Sequence, residues 1–144
     1  MELSSWPPRW LTAVPEEAIE AGKVEEPVSS FAEAYGIITK DSVAGRSGEP
    51  LVLRDWQRNL FEHMFEFEDG GYRHQSQLVL MPRKNGKSAL GSLIALYGLI
   101  LGPKGAEVYS VAAEKEQARI VFADARRMIE ASEELSGITK LYRD

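Results

Sequence analysis

Residues 77–103 contain three successive segments that limit the folds this chain can adopt. The run "QLVLMP" (77–82) is short, apolar and closed by a proline, which predicts a buried strand. The loop "RKNG" follows, and an apolar helix is predicted from about Lys87 to Leu101, where a Gly-Pro pair ends it. This helix is shorter than the roughly 20 residues that cross a bilayer, so we expect it to be buried in protein.

A second strand and a second helix follow the first pair. "AEVYSVAA" (106–113) has the composition of a strand, and "EKEQARIVFADARRMIEASEEL" (114–135) has a helical period. The order strand, loop, helix, strand, helix predicts an α/β fold, with a parallel sheet and flanking crossover helices. The apolar face predicted for the second helix contains Ala118, Val121, Phe122, Ala125 and Ile129.

A further amphipathic helix is predicted before the first strand. Its apolar residues recur at helical spacing, and Asp55 favours its first turn. It is expected to end at "EDGG", where Gly70 and Gly71 supply positive backbone angles. The nearby His63 and His74 have no metal-ligand spacing, so the sequence assigns them no role. The residues of this helix expected in the core are Leu53, Trp56, Leu60, Phe61, Met64 and Phe65.

The first 50 residues differ in composition from the rest of the chain. Acidic side chains outnumber basic ones there, whereas the two balance over residues 51–144, and the whole chain has a formal charge of −5. We expect an irregular acidic arm over 1–50, with short helical pieces near 16–21 and after 31. We expect any nucleic-acid contact to be a local patch.

The absence of cysteine excludes disulfides and thiolate metal sites. The first residues do not have the pattern of a secretory signal.

The loop between the first predicted strand and its helix has the residues of a phosphate-binding loop. Such a loop follows a buried strand and opens a helix, so that backbone N–H groups converge on phosphate oxygens. Lys87 would contact the β and γ phosphates, Ser88 would ligate Mg²⁺, and Gly86 would allow close backbone approach. The common pattern Gly-x-x-x-x-Gly-Lys-Ser/Thr lacks its first glycine, because Met81 stands there. The alternatives are an exposed lysine-rich turn and a Ser88 that only caps the helix.

Three stretches of the chain together resemble one protein family. "MPRKNGKSAL" (81–90) resembles the variant phosphate loop (Walker A) of large terminase subunits, the motors that package DNA into tailed-phage heads. In that family the first glycine is often absent and an arginine stands early in the loop. "LRDWQRNLF" (53–61) looks like the family's adenine-recognition segment, and residues 106–129 are similar to the strand and helix after its loop. The three stretches occur in the family's order over about residues 51–130.

The resemblance implies a P-loop ATPase that binds ATP and Mg²⁺. Arg83 would reach the γ-phosphate and act in catalysis together with Lys87. Gln57 would read adenine through its amide, which offers both a donor and an acceptor. A surface position in water is the alternative for Arg83 and for Gln57, and Ser88 is the implied magnesium ligand. The implied nucleotide-binding residues are Gln57, Arg83, Lys84, Asn85, Gly86, Lys87, Ser88 and Ala89.

An ATPase of this class also needs an acidic residue at the end of a later strand and a glutamate that activates water. After residue 113 no apolar run ends in such a pair, and Glu133 and Glu134 follow a helical pattern. We therefore expect residues 51–144 to be the N-terminal half of a P-loop ATPase domain, incomplete at its C-terminus and without the nuclease domain. The isolated chain would bind ATP better than it hydrolyses it.

The same resemblance implies that the full-length protein hydrolyses ATP to translocate viral DNA into the prohead. Its partners would be double-stranded DNA, the small terminase subunit and the portal, in a ring of subunits in the host cell cytoplasm, with no membrane. One alternative is a fragment of a helicase-like DNA translocase, whose longer reading frame would carry helicase motifs. The other is a non-catalytic interaction module on the same fold, whose stability would not depend on nucleotide.

Overall fold

The computed structural model describes residues 27–42 and 44–142, and the predicted short helix near 16–21 lies outside them. The described residues form two compact units, one of 27–30 with 53–79 and the other of 31–52 with 80–142. Within these residues, every helix falls short of the length and apolar character that a transmembrane span requires. The predicted boundary at residue 50, between the N-terminal arm and the rest of the chain, stays a prediction.

The elements in chain order are α1 (Pro27–Tyr35), α2 (Asp55–Met64), β1 (Phe67–Glu68), β2 (Gly71–Tyr72), α3 (Lys87–Ile100), α4 (Lys115–Ala131) and α5 (Glu133–Ile138).

The first unit contains α2 and the hairpin of β1 and β2. The predicted helix end at "EDGG" is wrong, because α2 ends at Met64 and "EDGG" (68–71) forms the hairpin turn and its flanking residues. Within the predicted core of this helix, Leu53 and Phe61 are buried, whereas the other four residues are half-buried. The hairpin is antiparallel, with Phe67 opposite Tyr72, and its turn consists of Asp69 (φ 51°) and Gly70 (φ 84°). Two-residue hairpin turns need positive φ at one or both turn positions. The prediction of positive angles at Gly70 and Gly71 was therefore right for Gly70 and wrong for Gly71.

The second unit is built on α3 and α4, which pack against each other. Leu93 of α3 and Met128 of α4 are fully buried, and burying side chains of this size contributes about 2 kcal/mol each. The Ser92 hydroxyl lies in the same contact, 2.8 Å from the Val121 carbonyl oxygen. The ring of Phe31 from α1 meets the edge of Tyr97 with centroids 5.7 Å apart. The helix predicted over about 87–101 is confirmed, and only its C-terminal end differs, by one residue.

The single helix predicted over 114–135 is wrong, because the structure divides it at Ser132. Ser132 has an extended backbone (φ −116°, ψ 119°), and its hydroxyl accepts the N–H of Leu135 at 3.2 Å, so it caps α5. Serine competes with helix propagation through this kind of side-chain bond. The predicted apolar face is also partly wrong, since Phe122 is 52% exposed and Asp124 is buried.

The stretch between α1 and α2 falls largely in the predicted irregular arm, but its described residues fold back on one another. Ile37 and Pro50 form an antiparallel bridge, and the N–H of Leu51 donates to the Gly36 carbonyl oxygen at 2.9 Å. Arg127 of α4 donates to the Thr39 carbonyl oxygen at 3.2 Å. These bonds hold residues 36–42 and 44–51 within the second unit. Helix α1, with nine residues, also begins earlier than the short helical piece predicted after residue 31.

The parallel sheet predicted from residues 77–82 and 106–113 is not formed among the described residues, whose one sheet is the two-stranded hairpin. Both segments lack strand pairing, and large apolar side chains such as Leu80 (85%) and Val111 (89%) are exposed. Strand-forming residues produce a strand only where a neighbouring strand accepts their backbone hydrogen bonds. The described chain is therefore a mixed structure of helices and a small two-stranded sheet, compatible with an incomplete α/β domain.

Candidate functional site

The candidate site is the turn that leads into α3, residues 83–86. Two of its residues have left-handed backbone conformations, Lys84 (φ 67°) and Gly86 (φ 79°), and Gly86 is the N-cap of the helix. Glycine adopts this conformation without steric cost, whereas it is uncommon for a side chain such as that of lysine. The two positive angles turn the chain so that Lys87 becomes the first helical residue.

Side chains of the turn hold its shape. The Asn85 amide nitrogen donates to the Pro82 carbonyl oxygen at 3.3 Å and lies 3.5 Å from the Arg83 carbonyl oxygen. The Lys87 ammonium lies 3.5 Å from the Met81 carbonyl oxygen, at the limit of hydrogen bonding. Met81, which stands where the common motif has its first glycine, thus forms the base of the loop. The lysine side chain folds back across the turn toward it.

The start of α3 has backbone donors without helical partners. The first hydrogen bond of the helix joins the Leu90 N–H to the Gly86 carbonyl oxygen at 2.9 Å, so the N–H groups of Lys87, Ser88 and Ala89 come before the ladder begins. Gly86 has no side chain that could accept from them. Donors of this kind are satisfied by water or by a ligand, and the helix dipole adds positive potential at the same end.

The charges of the loop are all positive. Arg83, Lys84 and Lys87 are exposed, and none of them forms an ion pair with a carboxylate in the part of the chain that the structure describes. Three cations and several free backbone donors within seven residues fit a polyphosphate anion. Half-buried Ser88 has its carbonyl oxygen engaged by the Ser92 hydroxyl at 2.8 Å, while no described residue bonds to its own hydroxyl. This hydroxyl therefore suits the oxygen ligand that Mg²⁺ prefers.

Gln57 lies in the first unit, in the first turn of α2, and is buried with 7% of its surface exposed. Its side-chain oxygen accepts the backbone N–H of Arg54 at 2.9 Å, and the backbone N–H of Gln57 donates to the Arg54 carbonyl oxygen at 2.8 Å. The alternative of a glutamine facing water is therefore wrong. The amide has a structural role in starting α2, and its predicted contact with adenine stays a prediction.

Two features of the chemistry were not evident from the sequence. Asn85 was expected only as a phosphate contact, yet its amide also shapes the turn through the Pro82 carbonyl oxygen. Asn is common in turns because its side chain bonds to nearby backbone groups, and this preference was the available signal. The structure also brings His63 and His74 together beside Glu66, although their sequence spacing indicates no site. The hairpin that separates them makes this contact.

Comparison with the sequence profiles of known protein families gives a match over residues 55–141 to the terminase large subunit, ATPase domain. Searches of curated proteins and of solved structures found no match. The matched span begins at α2 and includes the turn at 83–86, α3 and α4, and it covers more than half of the chain. It confirms the resemblance found in the sequence. The chain therefore belongs to the family of terminase large subunit ATPase domains.

Proposed function

We propose that this chain binds ATP at residues 83–89, as the nucleotide-binding part of a terminase large subunit whose full-length form uses ATP hydrolysis to translocate DNA. The observation that carries the proposal is the turn with left-handed Lys84 and Gly86, which places Lys87 at the first position of α3. The turn lies within the span that matches the ATPase family. Positive charge and unsatisfied N–H groups both favour the phosphate end of the nucleotide there.

Each residue of the loop has a proposed role. The N–H groups of Lys87, Ser88 and Ala89 donate to phosphate oxygens, with Gly86 allowing close approach. The Lys87 ammonium moves from the Met81 carbonyl oxygen, a weak partner at 3.5 Å, to the β and γ phosphates. Asn85 keeps the turn in shape, and Lys84 adds positive potential at its exposed edge.

Arg83 is proposed to contact the γ-phosphate and, with Lys87, to stabilise the negative charge that develops there during hydrolysis. A guanidinium in the same chain can supply this charge without a second subunit. The Ser88 hydroxyl would hold Mg²⁺, and the bound ion would supply further positive charge to the phosphate oxygens. Gln57 would hydrogen-bond the adenine edge, which requires its amide to leave or share its bond to Arg54.

The wider proposal follows from the family. Terminase large subunits are packaging motors, so we propose double-stranded DNA, a small terminase subunit and a portal as partners of the full-length protein. We also propose that it acts as a ring of subunits in the host cell cytoplasm. The support for these partners is the family match alone. The ATP site has independent support in the loop itself.

The proposal is tested by equilibrium binding of a fluorescent ATP analogue with Mg²⁺ to the wild-type chain, Lys87→Ala and Lys104→Ala. Lys104 is an exposed lysine in the loop after α3 and serves as a matched control for loss of one positive charge. We expect saturable binding by wild type and Lys104→Ala. Lys87→Ala should bind at least about 10-fold more weakly, because a hydrogen bond to a charged group contributes about 1.5–3 kcal/mol.

Circular dichroism establishes that each variant is folded before its binding is compared. Equal affinities of folded Lys87→Ala and wild type would contradict the proposed phosphate site. A folded wild-type chain that does not bind the analogue would contradict ATP binding by this chain. Equal losses of affinity in Lys87→Ala and Lys104→Ala would contradict a specific phosphate site and show that the loop attracts anions only through its positive charge.

A further inference from the structure

Three side chains that the nucleotide site does not use converge in the first unit. His63 lies near the end of α2, Glu66 follows the helix, and His74 comes just after β2. The distance from Glu66 Oε2 to His63 Nδ1 is 3.8 Å, and that from Glu66 Oε2 to His74 Nε2 is 3.4 Å. One ligand atom from each residue lies within 4.8 Å of the other two.

The converging atoms have no hydrogen-bond partners. His63 Nδ1, Glu66 Oε2 and His74 Nε2 are all buried, and none of them is hydrogen-bonded within residues 27–42 and 44–142. Their separations exceed the 2.7–3.2 Å of ordinary N–H···O bonds. Buried polar atoms in proteins are nearly always hydrogen-bonded, so three that lack hydrogen bonds and face each other at ion-pair distances point to a shared ligand between them.

The second oxygen of Glu66 is fixed from the other side. Arg73 donates to Glu66 Oε1 at 2.9 Å through its guanidinium, and the Arg73 N–H donates to the Glu66 carbonyl oxygen at 2.9 Å. Since the arginine occupies Oε1, Oε2 is left facing the two imidazoles. Groups that orient a ligating side chain in this way are a regular part of metal sites.

The arrangement of the two imidazole rings suits a shared metal ion. The two rings lie with centroids 4.6 Å apart, an arrangement that two protonated imidazoles would oppose by charge repulsion. A neutral imidazole nitrogen is the form that binds metal ions.

We propose that His63 Nδ1, Glu66 Oε2 and His74 Nε2 bind one divalent transition-metal ion, with zinc as the best fit and solvent as the fourth ligand. Zinc holds His nitrogen and carboxylate oxygen at about 2.0–2.2 Å, so ligand atoms around a tetrahedral ion lie about 3.3–3.5 Å apart. The observed 3.4 and 3.8 Å are within a small side-chain rotation of that spacing. Imidazole ligands exclude Mg²⁺ as the preferred ion, which separates this site from the one proposed at Ser88.

The three ligand atoms are buried, but the two imidazole side chains are partly exposed at the surface, from which water would enter as the fourth ligand. The side chains of His63 and His74 are 25% and 31% exposed, whereas that of Glu66 is 13% exposed. The ion would join the end of α2 to the segment after β2 and so close a loop from residue 63 to residue 74. Its role is therefore to fix the hairpin on α2, independently of nucleotide.

The site could not be recognised in the sequence, because the spacing of its ligands, His-x₂-Glu-x₇-His, is not that of a ligand set on one helix. The hairpin, whose turn reverses the chain at Asp69 and Gly70, brings His63 and His74 together, and the role proposed for them replaces the expectation that they have none. An Asp-Gly pair is a recognised hairpin signal. It was the one sequence feature that could have placed His74 back beside α2.

The test uses the chain without a histidine tag, stripped of metal with a chelator that is then removed. Zn²⁺ is titrated in competition with a chromophoric chelator, and Co²⁺ is titrated while visible absorption is recorded. We expect one equivalent of either ion to bind, with the intense cobalt absorption of a tetrahedral site. Excess Mg²⁺ should not displace the bound ion.

Variants then identify the ligands. His63→Gln and His74→Gln should each weaken zinc binding by about 10-fold or more, since loss even of a group that only orients a ligand costs about 10- to 100-fold. Glu68→Gln is the matched control, because Glu68 is an exposed carboxylate beside Arg73, at 3.6 Å, but outside the ligand set. It should bind zinc as wild type does.

Two results would overturn the site. One is a folded wild-type chain that binds neither Zn²⁺ nor Co²⁺, which would leave the cluster as a charge network around Glu66. The other is binding that both glutamine variants retain at wild-type affinity. Lys87→Ala should leave zinc binding unchanged, so that failure here and failure of the ATP site are distinguishable.

Discussion

The hydroxyl of Ser92 on α3 lies 2.8 Å from the Val121 carbonyl oxygen on α4 and 2.8 Å from the Ser88 carbonyl oxygen one turn earlier in its own helix. Ser92 is fully buried. A serine at this position lets the two helices approach closely and ties the first turn of α3 to α4. The residue proposed as the magnesium ligand is thus held by packing that begins outside the loop.

Ser92→Ala should destabilise the chain by about 1 kcal/mol, because the Val121 and Ser88 carbonyl oxygens lose a shared donor in a buried contact. Denaturant unfolding followed by circular dichroism measures the change. Ser76→Ala is the control, since Ser76 is exposed and should change stability by less than about 0.5 kcal/mol. Equal stabilities of Ser92→Ala and wild type would show that the hydroxyl does not hold the two helices.

Gly86→Ala should destabilise the chain by about 1 kcal/mol and weaken ATP binding, because an alanine at φ 79° is strained. Gly71→Ala is the matched control: Gly71 does not have a positive φ, and a Cβ there would meet no atom within 4 Å. Urea unfolding and nucleotide titration of both variants give the comparison. Wild-type stability and affinity in Gly86→Ala would mean that the turn does not require its left-handed N-cap.

The helices were predictable because their signals are local. The apolar period fixed α3 to within one residue, and the same period located α2. The division at Ser132 was missed because a serine inside a helical period looks like an ordinary polar position until its hydroxyl takes the Leu135 N–H. One side chain thus decides between one helix and two.

The strands were mispredicted because strand formation is not local. Residues 77–82 and 106–113 have strand composition, but a ladder of hydrogen bonds needs a partner strand, and sequence patterns do not show whether one is present.

The positions of the candidate-site residues were predictable only in part. Gly86 and Lys87 stand at the helix start as predicted, whereas the burial of Gln57 depends on packing that its position in the sequence does not reveal.

Arg83→Ala should lower the affinity for ATP by about 10-fold or more and leave the affinity for ADP unchanged, because the proposed guanidinium contact is with the γ-phosphate alone. Arg126→Ala is a suitable control, since Arg126 pairs with Glu130 on α4 at 2.7 Å. Competition of ATP and ADP against the fluorescent analogue measures both affinities. Equal losses for the two nucleotides would assign Arg83 to general attraction of phosphate rather than to the γ position.

Zinc at 100 times its dissociation constant should raise the free energy of unfolding of the first unit by about 2.7 kcal/mol, since an ion that binds only the folded state stabilises it by mass action. The ligands His63, Glu66 and His74 are brought together by the hairpin, so the gain should appear in the melting of this unit. Hydrogen exchange with and without zinc locates it: protection should rise over residues 63–74 and stay unchanged in α3. His74→Gln should lose the effect and Glu68→Gln should keep it. Zinc-dependent protection from exchange that rises equally over the whole chain, or that persists in His74→Gln, would contradict a zinc ion that joins α2 to the segment after β2.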